Sequence, residues 1–197
     1  GRVEAVGDGV SESRIGELVI GVTRFGGYQG AVVVDVSRTR PLPSGWTIEE
    51  GAAFPAAALT AAYGLMEPGR LKRGERVVIH SAAGGVGSTA VQMAHAMGAE
   101  VVGTCGRSEK LSIIEEMGCR LALNYKQGDW SLRVREELGP VDLVFDALGG
   151  SYLRQGYQLL RPGGRLVSYG LGTMTPSGKR PNYLKLAWQY LHIPRFS

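Results

Sequence analysis

A chain of 197 residues, 44% of them hydrophobic and with a net charge of +4, is long enough to close one substantial core and is far from the composition of a disordered segment. Its basic residues are scattered apart from Arg70-Leu71-Lys72-Arg73 and Lys179-Arg180, so no basic stripe marks a nucleic-acid surface. Cys105 and Cys119 lack metal or redox spacing, and the uncharged Ala-rich stretch Gly51 to Met66 with Pro55 inside it falls short of the ~18 strongly apolar residues of a membrane span; a cytoplasmic setting is expected.

The first fifty residues read as short strands set off by Gly-rich turns, at Val3 to Val6, Glu17 to Val22 and Ala31 to Val36. They look like the remnant of an all-β unit that runs into Pro41-Leu42-Pro43-Ser44-Gly45. Thr47-Ile48-Glu49-Glu50 then opens a helix as a capping box, and the Ala-rich run to Met66 continues it as a buried helix. Because Gly1 falls inside a strand pattern without an initiating Met, the sequence is expected to be a fragment, or the ordered part, of a larger protein.

From Val77 the pattern changes. Val77-Val78-Ile79-His80 feeds Ser81-Ala82-Ala83-Gly84-Gly85-Val86-Gly87, and an amphipathic segment with Val91, Ala94 and Met97 follows. This is strand, phosphate loop, helix, with the fingerprint A-x-G-x-x-G. Ala82 makes the turn, Gly84 lets the backbone approach a pyrophosphate, and Gly87 lets the helix lie close on the strand. The helix N-terminus offers free N–H groups to the phosphates, which assigns Ala83, Gly84, Gly85 and Val86 to the cofactor. Further strands are predicted at Glu100 to Thr104, Leu121 to Asn124, Val141 to Asp146 and Arg165 to Tyr169. Helices fall between them at Ser108 to Met117, Ser131 to Leu138 and Ser151 to Leu160. Short apolar strands alternating with helices predict an α/β fold, a doubly wound parallel sheet covered on both faces. Of the 30 glycines, about twice the ordinary share, many sit at the strand–helix junctions.

A site for NAD usually has Asp or Glu at the end of the second strand, for the ribose 2'-hydroxyl. Here that strand ends Gly103-Thr104-Cys105-Gly106-Arg107, with no acid, so a 2'-phosphate would meet no repulsion and Arg107 or Lys110 could supply positive charge. NADPH is the expected cofactor.

Gly1-Arg2-Val3-Glu4-Ala5-Val6-Gly7, Gly26-Gly27-Tyr28, Pro41-Leu42-Pro43, Glu50 to Pro55, the Ala82 to Gly87 loop and Asn124-Tyr125 together resemble the medium-chain dehydrogenases/reductases in order and spacing. Ala-Ala-Gly-Gly-Val-Gly with Asn-Tyr looks like the zinc-independent quinone oxidoreductase branch, and Thr23-Arg24-Phe25-Gly26-Gly27-Tyr28 looks like its VAT-1-like members. The resemblance implies part of a GroES-like catalytic domain over residues 1–54 and a Rossmann NADP-binding domain, its last strand missing, over 55–197. It implies NADPH as hydride donor, a quinone or enone substrate, and a homodimer.

The resemblance places Gly106, Lys110 and Tyr125 around the 2'-phosphate. It places Thr60, Ala147, Leu148, Tyr169, Gly170 and Leu171 at the nicotinamide end. Ordinary alternatives stay open: Lys110 as a solvated helix face, Tyr125 as a half-buried aromatic, Thr60 bonding back to a helix carbonyl, and Gly149-Gly150 and Gly170 as simple turns. In zinc alcohol dehydrogenases a cysteine ligand lies four residues before the threonine of this helix, a position held here by Ala56, so no metal is expected. His80, His95 and His192 are isolated in sequence and read as strand-end, helix-face and tail residues. No Tyr-x-x-x-Lys pair and no Gly-x-Ser-x-Gly elbow occurs, and no catalytic proton donor is assigned. A polyketide-type enoyl reductase shares the phosphate loop, and a noncatalytic NADPH-binding adaptor is a further alternative, with Leu184, Ala187, Trp188 and Leu191 as an apolar stripe.

Overall fold

The computed structural model describes residues 1–10, 15–170 and 172. The chain forms two compact units, Gly1–Ala57 and Ala58–Ser197. In the first, strands β1 (Val19–Gly21) and β2 (Thr39–Pro41) pair antiparallel. No strand forms at Val3 to Val6: the isolated bridge Arg2↔Leu18 precedes it, and Val3 N–H bonds to Glu17 O and Gly16 N–H to Val3 O, at 2.9 and 2.8 Å. The strand expected at Ala31 to Val36 does not form. Val32 and Val33 are exposed, and Asp35 accepts from Ser37 N–H to start a 3-10 turn at Val36–Arg38. The strand falls on Thr39–Pro41 instead, because β-branched propensity acts only where a partner strand and a covered face exist.

Helix α1 (Ile48–Met66) contributes its first turns to the first unit and the rest to the second. Its capping box is fully made, with Thr47 N–H on Glu50 Oε2 at 2.8 Å and Glu50 N–H on Thr47 Oγ1 at 3.2 Å. The expectation of a buried helix is corrected. Ala58, Ala61 and Leu65 are buried, but Leu59 and Tyr63 are 61% and 68% exposed. Absence of charge made the stretch look internal, whereas the helix meets the sheet along one side only.

The second unit is a five-stranded parallel sheet in the order β5-β4-β3-β6-β7, built from β3 (Arg76–His80), β4 (Glu100–Cys105), β5 (Leu121–Asn124), β6 (Val141–Asp146) and β7 (Leu160–Ser168). Helices α2 (Gly85–Ala96), α3 (Leu111–Glu116), α4 (Trp130–Leu138) and α5 (Ser151–Leu159) connect them. Side chains alternate across the sheet and divide the core in two. Val77, Ile79, Leu143 and Phe145 pack with Ala90, Val91 and Ala94 of α2 and with Ile114 of α3. Val78, Val102 and Val144 pack with Trp130, Val134 and Leu138 of α4 and with Leu159 of α5. The fold is therefore the doubly wound α/β sheet expected. The order places its switch point beside β3, where such sheets leave a crevice outside the carboxyl ends of their strands.

Two boundaries differ from expectation. Helix α3 is preceded by a separate 3-10 turn, Ser108–Lys110. Strand β7 starts at Leu160 and not at Arg165: Val141 faces Leu160 and Leu143 faces Arg165, so the Pro-Gly-Gly turn signal is accommodated as a bulge inside the ladder. Toward the amino ends of β3 and β6, away from the crevice, Arg165 holds Glu75 at 2.6 and 2.8 Å, and Arg161 pairs with Asp142.

Candidate functional site

The β3 exit is the tightest part of the fold. Ser81 turns the chain at φ 55°, Gly84 N–H bonds to Ser81 O at 2.8 Å, and Ala82 N–H bonds to Thr104 O at 2.8 Å, tying the turn to β4. The left-handed residue is Ser81, and Ala82, which takes the first glycine position of the fingerprint, keeps a negative φ. Gly84 caps α2 in an extended conformation without a side-chain hydrogen bond. Ser88 N–H is the first helix amide to reach a carbonyl, that of Gly84, at 2.8 Å, which leaves Gly85, Val86 and Gly87 as N-terminal donors. Gly84 and Gly85 are exposed and Gly87 is buried. A Cβ on Gly87 would overlap Ser81 O and stand 2.9 Å from Ala82 Cα, so glycine there sets the close approach of helix to turn.

The β4 exit carries Gly106, then exposed Arg107 and Lys110. Tyr125 follows β5, and its N–H bonds to Cys105 O at 3.0 Å. A Cβ on Gly106 would stand 2.6 Å from the Tyr125 hydroxyl oxygen and 3.3 Å from Lys126 Cε. The two loops are laced by Asn124 Nδ2 donating to Ser108 Oγ at 2.9 Å and Ser108 Oγ donating to Gln127 Oε1 at 3.1 Å. Burial, with Tyr152 next to it, pushes the Tyr125 phenol up, so its hydroxyl stays a donor at neutral pH. Among the described residues Arg107, Lys110 and Lys126 form no ion pair. Lys126 was missed by sequence reasoning. Its signal was only its place after Asn124-Tyr125, and the turn held by Lys126 N–H on Asn124 Oδ1, at 3.0 Å, is what brings it to Gly106.

The exits of β6 and β7 interlock. Asp146 accepts from Leu148 N–H and Gly149 N–H at 3.0 and 2.9 Å, and Tyr169 N–H bonds to Asp146 O at 2.9 Å. The Tyr169 ring stacks on Phe145 with centroids 4.3 Å apart. Leu148 is buried, and a Cβ on Gly170 would stand 2.8 Å from Ala147 O. Gly64 of α1 lies against the Phe145 ring, while Leu71 N–H folds back to Leu65 O at 2.9 Å and leads into β3. The helix thus runs opposite to the strands, which puts Thr60, one turn before Gly64, toward their carboxyl ends.

The structure gathers Ala83, Gly84, Gly85, Val86, Gly106, Arg107, Lys110, Tyr125, Ala147, Leu148, Tyr169 and Gly170 beyond the carboxyl ends of the parallel strands. Leu171, His192, Lys179-Arg180 and the stripe of Leu184, Ala187, Trp188 and Leu191 lie outside the described residues. A groove of about 450 Å³ between α4 and α5, lined among others by Leu132, Arg135 and Gln158, shares no residue with these loops. Among the described residues no three His, Cys, Asp or Glu side chains group to hold a metal ion, and no helix is long and apolar enough to cross a membrane.

A cradle of this shape fits a dinucleotide phosphate. Gly84 keeps the approach to free helix amides open, and Gly106 leaves space beside a phenol donor and lysine stems.

The family model for zinc-binding dehydrogenases matches residues 85–192. The synaptic vesicle membrane protein VAT-1 homolog of Danio rerio is 35% identical over 189 residues, 95% of this chain and 39% of that protein. The crystal structure of CurK enoyl reductase superposes with a TM-score of 0.82 at 32% identity, over 96% of this chain and 55% of that one. Escherichia coli quinone oxidoreductase, solved in complex with NADPH, superposes with a TM-score of 0.81 at 29% identity, over 96% and 58%. The chain thus spans 39 to 58% of the length of these three proteins.

Proposed function

The chain belongs to the zinc-binding dehydrogenase family, within the medium-chain dehydrogenases/reductases and their VAT-1-like quinone oxidoreductase branch, and from that premise we propose that it is the dinucleotide-binding part of an NADPH-dependent reductase acting on a quinone or an α,β-unsaturated carbonyl compound. The observation that carries the cofactor reading is the exit of β4. The strand ends Cys105-Gly106-Arg107 without an acid, and Gly106 faces the Tyr125 hydroxyl and the Lys126 stem across the space a side chain would fill. NADPH supplies the hydride when bound. The protein's part is positional: α2 amides receive the pyrophosphate, Tyr125, Lys110 and Lys126 receive the 2'-phosphate, and the interlocked exits of β6 and β7 hold the nicotinamide half with water excluded. The likeness to CurK enoyl reductase supports a second reading of the substrate as an enoyl thioester, which changes the acceptor and not the cofactor site.

Lys110→Ala, Lys126→Ala and Tyr125→Phe are each expected to weaken NADPH binding by about 1 to 3 kcal/mol, the range for hydrogen bonds to charged groups, with NADH binding unchanged. Calorimetric titration of the intact protein with both nucleotides checks this. Equal losses for both, or a wild-type preference for NADH, would refute the site, and consumption of NADPH against a panel of quinones and enones tests the activity.

Zinc independence is proposed from Ala56, which stands where zinc alcohol dehydrogenases hold a cysteine ligand. Elemental analysis of the dialysed intact protein is expected to find substoichiometric zinc. Tightly held zinc required for turnover would overturn it.

A further inference from the structure

Asp146 is fully buried, and none of the described residues forms an ion pair with it. A lone carboxylate in such a place is costly unless its oxygens are met by donors. Among the described residues its donors come from the turn after β6 and from the last residue of β7. Oδ1 accepts from Leu148 N–H at 3.0 Å, and Oδ2 accepts from Gly149 N–H at 2.9 Å and from Ser168 Oγ at 3.3 Å. Its backbone oxygen takes Tyr169 N–H at 2.9 Å, and the next carbonyl, Ala147 O, takes Gly172 N–H at 3.0 Å. The turn so held is left-handed at both Gly149 (φ 70°) and Gly150 (φ 62°). The neighbouring Tyr169 ring stacks on Phe145.

We propose that Asp146 is a positioning residue for the nicotinamide half of the dinucleotide, its carboxylate fixing the Ala147–Gly149 backbone and the Ser168 end of β7 as one rigid wall. This rests on the NADPH reading above. It predicts a defect confined to one half of the ligand, since the phosphate loop and the Gly106–Tyr125 corner make no hydrogen bond to Asp146.

Asp146→Asn keeps the shape but turns one acceptor into a donor facing an N–H. In the intact protein the dissociation constant for NADPH should rise at least tenfold. That for 2',5'-ADP, which carries the phosphates of the adenosine half and no nicotinamide, should stay within twofold. Ser168→Ala removes one donor at an exposed hydroxyl and should weaken NADPH about threefold with the same contrast, which keeps the test open if Asp146→Asn fails to fold. Equal losses for both ligands, or unchanged NADPH affinity in both variants, would overturn the proposal. A wild-type protein that binds neither ligand overturns the cofactor reading and the proposal with it, whereas a wild type that binds both and variants without the contrast overturn the proposal alone.

Discussion

Gly87→Ala is expected to destabilise the dinucleotide-binding unit by about 3 kcal/mol, the upper part of the ordinary range for overpacking, and Gly87→Val to prevent its folding. A Cβ at this position would meet Ser81 C at 2.7 Å and Ala82 Cα at 2.9 Å, besides overlapping Ser81 O. All of these are backbone atoms, and neither side can yield. Ser81 is already in the left-handed region, and Ala82 is anchored to Thr104 O, so the helix itself must move away from the sheet. Against a total stability of roughly 5–15 kcal/mol, the alanine variant should melt about 10 °C lower. Gly84→Ala is the contrast. Its Cβ would meet only Ser81 O, at 3.2 Å, so the fold should survive while the approach to the helix amides is obstructed and NADPH binding falls. Thermal unfolding of both variants with a nucleotide titration separates the two roles. A Gly87→Ala protein melting with the wild type would show that helix and turn are less tightly packed than described.

The different roles of these two glycines were legible in the sequence, because a phosphate loop imposes local rules: a β-branched strand, a small-residue turn and a helix stop pattern are all set by neighbours within a dozen residues. The same holds for the five strands of the parallel sheet, whose apolar runs at Val77, Val101, Leu121, Val141 and Leu166 announce burial on both faces. What was not legible depended on partners distant in sequence. Ala31 to Val36 has the composition of a strand but is turned away by Asp35, and Thr39–Pro41, with poor propensity, pairs because β1 lies beside it. The exposed side of α1 has the same origin, since hydrophobicity alone does not say how many sides of a helix are covered.

The candidate site divides along the same line. Ala83 to Val86 could be assigned from spacing, and the missing acid after β4 from one strand end. Lys126 could not, because its approach to Gly106 depends on hydrogen bonds between the β4 and β5 exits, in which Ser108 joins Asn124 and Gln127. Asp146 read simply as the last residue of a strand. Only the pairing of β6 with β7 reveals that its carboxylate reaches Ser168, 22 positions later in the chain.

Acid is expected to weaken the fold from about pH 6.5 downward, and His80→Asn to remove most of that loss. His80 is fully buried, with Nδ1 and Thr104 Oγ1 2.7 Å apart and the Trp130 and Tyr152 rings edge-on to it at 4.7 and 6.2 Å. Nε2 has no hydrogen-bond partner among the described residues. A neutral ring that gives its Nδ1 proton to Thr104 leaves only a lone pair unsatisfied. Protonation would place a charged N–H against aromatic carbon. Burial accordingly pulls the histidine from 6.5 down to about 3. The unfolded chain therefore binds the proton first, so this contribution is complete above pH 6.5 and declines as pH falls toward 3. The slope is about 1.4 kcal/mol per pH unit, which amounts to about 2 kcal/mol by pH 5. Glu75 and Asp142, both held low in the folded state, lose their contributions only at more acid pH. Asp146, raised by burial, works in the opposite direction, so the net loss in the wild type understates the histidine and the difference between proteins isolates it. Asn keeps a polar atom near the place of Nδ1 for Thr104 and cannot titrate. Urea unfolding of both proteins at pH 7 and pH 5 decides the matter: the wild type should lose more than the variant by about 2 kcal/mol, and parallel losses would mean that His80 takes up its proton in the folded state without cost.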